Sequence, residues 1–301
     1  MGALVASLQC FLSAPAAAQS GSPPITPAGF HATGLDPSPA NPVRVWILGD
    51  SVMNQGSPAL SAALGATGEA QVVADSSFGG WGLTTQSAWI ADSLQIIDDY
   101  HPQVIVGTWS WDDPMAGRDP RLYAALLAQA IGVWMSPGDG VRLVVLVQFP
   151  QPGPDLLIPG SIQRLRDWIK VTAEQDTWDR IARSMTSVFP GRVVYLSTAQ
   201  VFAPGGRFVT WIRTDSGWAR TRQLDNAHLC VPGAIEFGQV VVSDLQSILG
   251  LNPPAPGWQD GAWTEDVRYQ VGHYGPGVCP ADAPPTADYN GVRVPDQGGS
   301  N

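Results

Sequence analysis

Lysine is nearly missing from this chain of 301 residues. Lys170 stands alone, and arginine supplies the rest of the 16 basic residues against 26 acidic ones. A net charge of −10 with no Lys/Arg cluster disfavours a polyanionic partner, so no nucleic acid is expected. Charged residues make up only 14% of the chain and hydrophobic ones 44%, which excludes a disordered polypeptide. After the apolar opening there is no hydrophobic run long enough to span a bilayer. A Walker-type phosphate loop is absent, and so is Gly-x-Gly-x-x-Gly after a strand. There is no Cys-x-x-Cys and no paired-histidine motif, so neither a metal nor another cofactor is expected.

Cysteine is also scarce, at three. The opening "MGALVASLQCFLSAPAAAQSGSPP" has the apolar stretch and small-residue ending of an export signal, without the basic start such signals carry. A secreted or cell-envelope protein is expected. Once Cys10 leaves with the signal, Cys230 and Cys279 remain, a disulfide in an oxidising compartment or otherwise two buried thiols. Residues 1–41 divide into this signal-like segment and a Pro/Ser/Gly-rich linker. Residues 42–250 read as one domain. Residues 251–301 read as an irregular extension, with Trp258, Trp263, Tyr269 and Tyr274 scattered among Gly and Pro, that wraps back onto the domain.

What is present is a regular alternation. Val43–Leu48, Gln71–Phe78, Gln103–Trp109, Val141–Gln148 and Arg192–Thr198 are short β-branched runs, apolar on both faces, as strands inside a parallel sheet are. Helical patterns lie between and after them, at Pro58–Leu64, Gln86–Tyr100, Arg121–Met135, Ser161–Val188 and from Pro232 or Gly233 to Leu249. Five alternations predict an α/β fold, a parallel sheet of about five strands with helices on both faces. In such sheets ligands bind beyond the carboxyl ends of the strands. The loops there are "GDS" at Ser51, the glycine cluster between Phe78 and Thr84, and "TWSWDD" from Thr108 to Asp113.

Ser51 follows the first strand directly, where a serine serves either as a nucleophile or as a helix cap. A hydroxyl needs a base to take its proton, and the base needs a partner to fix its tautomer. Of the four histidines, His31 falls in the linker, His101 begins a strand beside Pro102 and His273 lies in the extension. His228 lies in "LDNAHLCVPGA", three residues after Asp225 and just before the last helix, close enough for the carboxylate to reach the imidazole. Asp50 is expected to hold the turn by binding loop N–H groups. Arg44, inside the first strand, is expected to pair with a carboxylate.

A strand ending in "GDS", a glycine-rich second loop and "DNAHL" before the last helix together resemble the SGNH hydrolases, or GDSL-like esterases, over about Val43 to Gly250. That resemblance implies a three-layer α/β/α sandwich, flavodoxin-like, with Ser51 as nucleophile, His228 as general base and Asp225 orienting it. It further implies an oxyanion hole made of three hydrogen-bond donors: the Ser51 backbone N–H, the N–H of a glycine after the second strand and a side chain after the third. Among Gly79, Gly80 and Gly82, the last best fits the family's Gly-x-Thr spacing. At the third donor the chain departs from the family, which has asparagine; here "GTWSWDD" offers Trp111, or else Ser110. Trp81, Trp109 and Asp112 are expected to contact substrate, although the tryptophans equally suit a core.

The implied activity is hydrolysis of O-acyl esters through an acyl-enzyme. The "D-x-x-H-L-C" ending also resembles SGNH domains found beside membrane acyltransferases that modify bacterial surface glycans. The expected substrate is therefore an ester of cell-envelope or extracellular carbohydrate, with a lipid or a small soluble ester as the alternatives. The rivals are an O-acyltransferase with the same triad and a non-catalytic glycan-binding or partner domain.

Overall fold

The computed structural model describes residues 32, 34–80, 82–84, 89–109, 115–136, 140–153, 162–214, 217–272, 275–276 and 278–280. The signal-like segment lies outside them.

The chain runs β1 (Val43–Gly49), α1 (Ser51–Ala66), β2 (Ala70–Ser77), α2 (Trp89–Tyr100), β3 (Val104–Thr108), α3 (Met115–Arg118) and α4 (Pro120–Trp134). It continues β4 (Leu143–Val147), α5 (Ile162–Val188), β5 (Val193–Leu196), α6 (Ala199–Phe202), β6 (Trp211–Thr214), β7 (Gly217–Arg220) and α7 (Val231–Leu249). The first five strands pair in parallel, in the order β2-β1-β3-β4-β5. This is a three-layer α/β/α sandwich.

Strand periodicity builds both cores. Val45, Ile47, Val104, Val106, Val145 and Val147 point to one face, against Leu60 and Leu64 of α1 and Phe237 and Val241 of α7. Their alternates Trp46, Ile105, Val144, Leu146 and Tyr195 point to the other, against Tyr123, Leu127 and Trp134 of α4 and Trp178 of α5. Burial on both faces is why these strands read as continuous apolar runs. The order places β2 and β3 on opposite sides of β1, so the chain reverses its winding there and a crevice opens beyond the ends of β1 and β3.

Three local features differ from the sequence expectations. Helix α1 begins at Ser51, seven residues before the expected Pro58. Its first turns use weak helix formers, whose polar groups serve contacts elsewhere, and Pro58 sits inside it. The antiparallel hairpin β6–β7 between β5 and α7 was not anticipated, because its strands are only half-buried and short. Arg44 donates from Nε to the His101 carbonyl at 2.6 Å, so its partner is a backbone oxygen instead of a carboxylate.

The extension wraps back along α1. Pro58 has no N–H to give the Asn54 carbonyl four residues back. Arg268 fills that vacancy through Nη1, and the hydroxyl of Ser57 donates to the same oxygen at 3.2 Å. Tyr269 donates to the Gln55 carbonyl at 2.5 Å, and Asn252 gives its N–H and side-chain amide to Glu69 at 2.7 and 2.8 Å. Cys230 and Cys279 form a disulfide with Cα atoms 5.7 Å apart. Among the described residues, no helix is long and apolar enough to cross a membrane.

Candidate active site

The turn from β1 into α1 is fixed by Gly49 and Asp50. A Cβ on Gly49 would lie 2.2 Å from the Thr108 carbonyl oxygen and 2.7 Å from Met53 Cβ, so only glycine lets the ends of β1 and β3 come this close. Asp50, fully buried, caps α1: its Oδ1 accepts from the Val52 N–H at 3.0 Å. The capping job therefore belongs to Asp50, and Ser51, the first helical residue, is left with its hydroxyl for other work. The N–H of a first-turn residue has no carbonyl four residues back in the helix and points out of its positive end.

The histidine arrives from the far end of the chain. Between β7 and α7 the backbone doubles back, with the Gln223 N–H donating to the His228 carbonyl at 2.8 Å. Asn226 takes a left-handed conformation (φ 57°) at the bend, which asparagine tolerates better than most residues. Asp225 folds into the bend: its Oδ1 accepts from the N–H groups of Ala227 and His228, both at 3.0 Å. Its Oδ2 lies 2.5 Å from His228 Nδ1, and His228 Nε2 lies 2.9 Å from Ser51 Oγ, 177 positions away in sequence.

Burial pushes the Asp225 carboxyl upward. The hydrogen bond and charge of His228, with the two backbone N–H groups, outweigh it and hold the group below the ordinary carboxylate range. Asp225 is thus an acceptor at neutral pH. A neutral His228 therefore carries its proton on Nδ1 and turns the Nε2 lone pair to the serine hydroxyl.

Two residues that sequence reasoning missed lock this loop. Gln55, one turn into α1, accepts the Leu229 N–H on its Oε1 at 2.6 Å, tying the residue after the histidine to the helix that carries the serine. Arg222 is fully buried, donating to the carbonyls of Ala227 (2.7 Å) and Gln151 (3.1 Å). Its guanidinium lies 4.5 Å from the centre of the Phe202 ring. Burial lowers it to about 9 against the opposing pull of Asp225, so it stays charged at neutral pH. Neither residue had a legible signal: a glutamine in a polar stretch and an arginine near two others both look like surface.

The second loop closes on the serine. The Phe78 N–H donates to the Gly49 carbonyl at 3.0 Å. A Cβ on Gly79 would meet Ser51 Cβ at 3.7 Å, so Gly79 lies against the serine. Gly82, favoured by spacing, is buried and lines a cavity together with Gly49 and Phe78. Trp109 is buried in the aromatic core, stacked on Trp134 at 6.4 Å and tilted against Trp178 at 6.3 Å, and it forms part of the same cavity wall. Trp81, Ser110, Trp111 and Asp112 lie outside the described residues, as do His31 and His273. His101 is exposed at the end of α2.

No family model matches the chain. No curated protein matches it either. Among solved structures it is similar to a GDSL-like lipase from Bacteroides thetaiotaomicron, 11% identical over 67% of this chain and 87% of that one, with a TM-score of 0.47. A carbohydrate acetylesterase from Sinorhizobium meliloti is also 11% identical, covering 68% of this chain and 99% of that one at a TM-score of 0.47. The periplasmic domain of a lipopolysaccharide acetyltransferase from Salmonella ser. Paratyphi A is 16% identical, covering 68% and 84% at a TM-score of 0.47.

Proposed function

We propose that the chain is a serine esterase that cleaves O-acyl esters through Ser51, His228 and Asp225. One observation carries this reading: a continuous hydrogen-bonded line runs from Asp225 Oδ2 through both nitrogens of His228 to Ser51 Oγ, with steps of 2.5 and 2.9 Å. A buried aspartate three residues from a histidine is commonplace. The same imidazole meeting a half-exposed serine at the lip of a parallel sheet is the geometry of an activated nucleophile.

As Ser51 Oγ bonds to the ester carbonyl carbon, its proton passes to His228 Nε2, and Asp225 stabilises the imidazolium that forms. The carbonyl oxygen becomes an oxyanion, met by the Ser51 N–H and by a second donor from the Gly79–Gly82 loop. The bond to the leaving oxygen then breaks, that oxygen takes the proton from Nε2, and the acyl group stays on Ser51. Water repeats the sequence in reverse and releases the carboxylic acid. The third donor is assigned to Trp111 or Ser110, and Trp81 and Asp112 are proposed to flank the substrate.

The proposed substrate is an acylated carbohydrate of the cell envelope or outside it. The Cys230–Cys279 disulfide supports an oxidising compartment, and the sequence resemblance to SGNH domains beside membrane acyltransferases supports a glycan. A fluorophosphonate probe tests the reading. It should label Ser51 in the wild type and nothing in Ser51→Ala; an unlabelled wild type would reject catalysis in favour of a binding domain. Product analysis with an added sugar acceptor separates hydrolysis from transfer.

A further inference from the structure

A cavity of about 210 Å³ opens at the turn that leads into Ser51. It is framed by Gly49, two residues before Ser51, and by Phe78 and Gly82, which flank the glycine lying against the serine. From there it runs between the sheet and the helices on the α2/α4 side. Trp46, Trp109 and Trp134 line it, with Leu48, Leu83 and Ile96.

The walls are mainly apolar, with Ser76, Ser93 and Asp92 as their polar members. The Trp46 indole N–H is bound to Ser76 Oγ and that of Trp134 to Ser93 Oγ, both at 3.1 Å, so the space meets ring faces. The one charged lining residue, Asp92, is exposed at the outer rim. A sugar placed here would meet only the hydroxyls of Ser76 and Ser93, each already accepting from an indole, and would leave most of its own hydroxyls without partners, which is costly for buried polar groups. A hydrocarbon would lose nothing. Size decides how much hydrocarbon: an engineered apolar cavity of about 150 Å³ accepts benzene, so this one suits a chain of about six to eight carbons. An acetyl group would leave most of it empty.

We infer that this cavity is the acyl-chain pocket of the site, and that the protein acts on medium-chain acyl esters in preference to acetyl esters. The inference rests on the esterase reading above and deepens it. The alcohol, sugar or otherwise, stays on the open side of Ser51, and the acyl chain enters between β1, β3 and α2. Phe78, 46% exposed, stands at the mouth.

The test is kcat/KM of the full chain on p-nitrophenyl esters from acetate to decanoate. Each buried methylene is worth about a fourfold gain, so hexanoate or octanoate should exceed acetate by at least about 30-fold before the series levels off. Ile96→Trp, which fills the cavity, should lower the hexanoate-to-acetate ratio by at least about tenfold, while Leu122→Ala on the exposed face of α4 should leave the ratio unchanged. Acetate as the best substrate overturns the inference. So does an unchanged ratio in an Ile96→Trp protein with wild-type circular dichroism. Should that variant not fold, the wild-type chain-length series decides alone. Absence of all turnover together with absence of Ser51 labelling would instead sink the esterase reading itself, and with it this inference.

Discussion

The guanidinium of Arg222 donates to the carbonyl of Ala227 at 2.7 Å, one residue ahead of His228. Its second amino group holds the Gln151 carbonyl after β4, so one buried fork joins the histidine loop to the segment leaving the carboxyl end of that strand. Lysine carries the charge but only a single point of donation, and cannot hold both carbonyls in plane. Arg222→Lys is therefore expected to lower kcat by about ten- to a hundredfold with little change in KM. The drop should persist when rates are normalised to sites labelled by fluorophosphonate. A purely structural role would reduce the number of labelled sites and leave the turnover of each unchanged. Arg222→Met, which removes the donors, should also lower stability by on the order of 2–4 kcal/mol.

The disulfide acts on the same loop from the other side. Cys230 precedes the first residue of α7 and follows His228 by two positions, and the Leu224 N–H donates to the Val278 carbonyl at 3.0 Å. Reduction would release Val278 and Cys279 from the loop that carries His228. With 49 positions between the cysteines, chain entropy alone assigns the link about 4 kcal/mol. Cys279→Ser should show a denaturant midpoint lowered accordingly and a reduced kcat. Equal stability and turnover with and without reductant would show that the hydrogen bonds of Arg268, Tyr269 and Asn252 hold the extension unaided.

The five strands and the later helices were legible because burial leaves its period in the sequence. Val104, Val106, Val145 and Val147 fill one face while Ile105, Val144 and Leu146 fill the other. The start of α1 was not legible. Asn54, Gln55 and Gly56 are poor markers of a helix, and each is used for something outside it. Asn54 donates to the Ser77 carbonyl at 2.7 Å, and Gln55 accepts from Leu229. A Cβ on Gly56 would come within 2.7 Å of the Phe237 ring on α7. At the site, Asp225 and His228 could be paired from sequence because they share one bend. Their meeting with Ser51 could be expected only through a family resemblance, since a contact across 177 positions leaves no local pattern. Trp109 showed the limit of residue type: an indole suits a core and a substrate wall equally, and this one is packed in the core while also lining the cavity.

Asp179 on α5 is buried beneath the ends of β4 and β5, held by Gln148 Nε2 at 3.2 Å and Gln175 Nε2 at 3.3 Å. Burial raises its carboxyl from 3.8 to about 7, with the hydrogen bonds and Arg183 opposing. Between those values the folded protein keeps a proton that the unfolded chain has released. The contribution to stability is therefore full below about pH 4 and is lost as pH rises through about 7. The loss is at most about 4 kcal/mol. Asp179→Asn keeps an acceptor and has no proton to lose, so its urea midpoint should fall less between pH 4 and 8 and exceed the wild type at pH 8. Asp244, raised by burial to about 6, leaves a residual slope in both proteins. Parallel curves for the two proteins would refute the assignment.

Asp225→Asn separates the orientation of the base from the shape of its loop. The asparagine oxygen can still accept the N–H groups of Ala227 and His228, so the bend is expected to survive. Its amide nitrogen then faces His228 Nδ1, which must turn its lone pair toward it, and the proton moves to Nε2, where the serine needs an acceptor. Such a tautomer reversal costs about 10⁴ in kcat in a triad whose geometry is intact. The pH profile supplies the second check. In the wild type the rate should fall as His228 takes up a proton, while fold stability persists to lower pH, because the Asp225 carboxyl is depressed below 3.8 and its stabilisation is lost only as pH falls through that depressed value. Activity and unfolding should thus separate on the acid side, the first lost well before the second. An Asp225→Asn protein with near-normal kcat, or a wild type whose activity and fold collapse together, would remove Asp225 from the role of orienting the base.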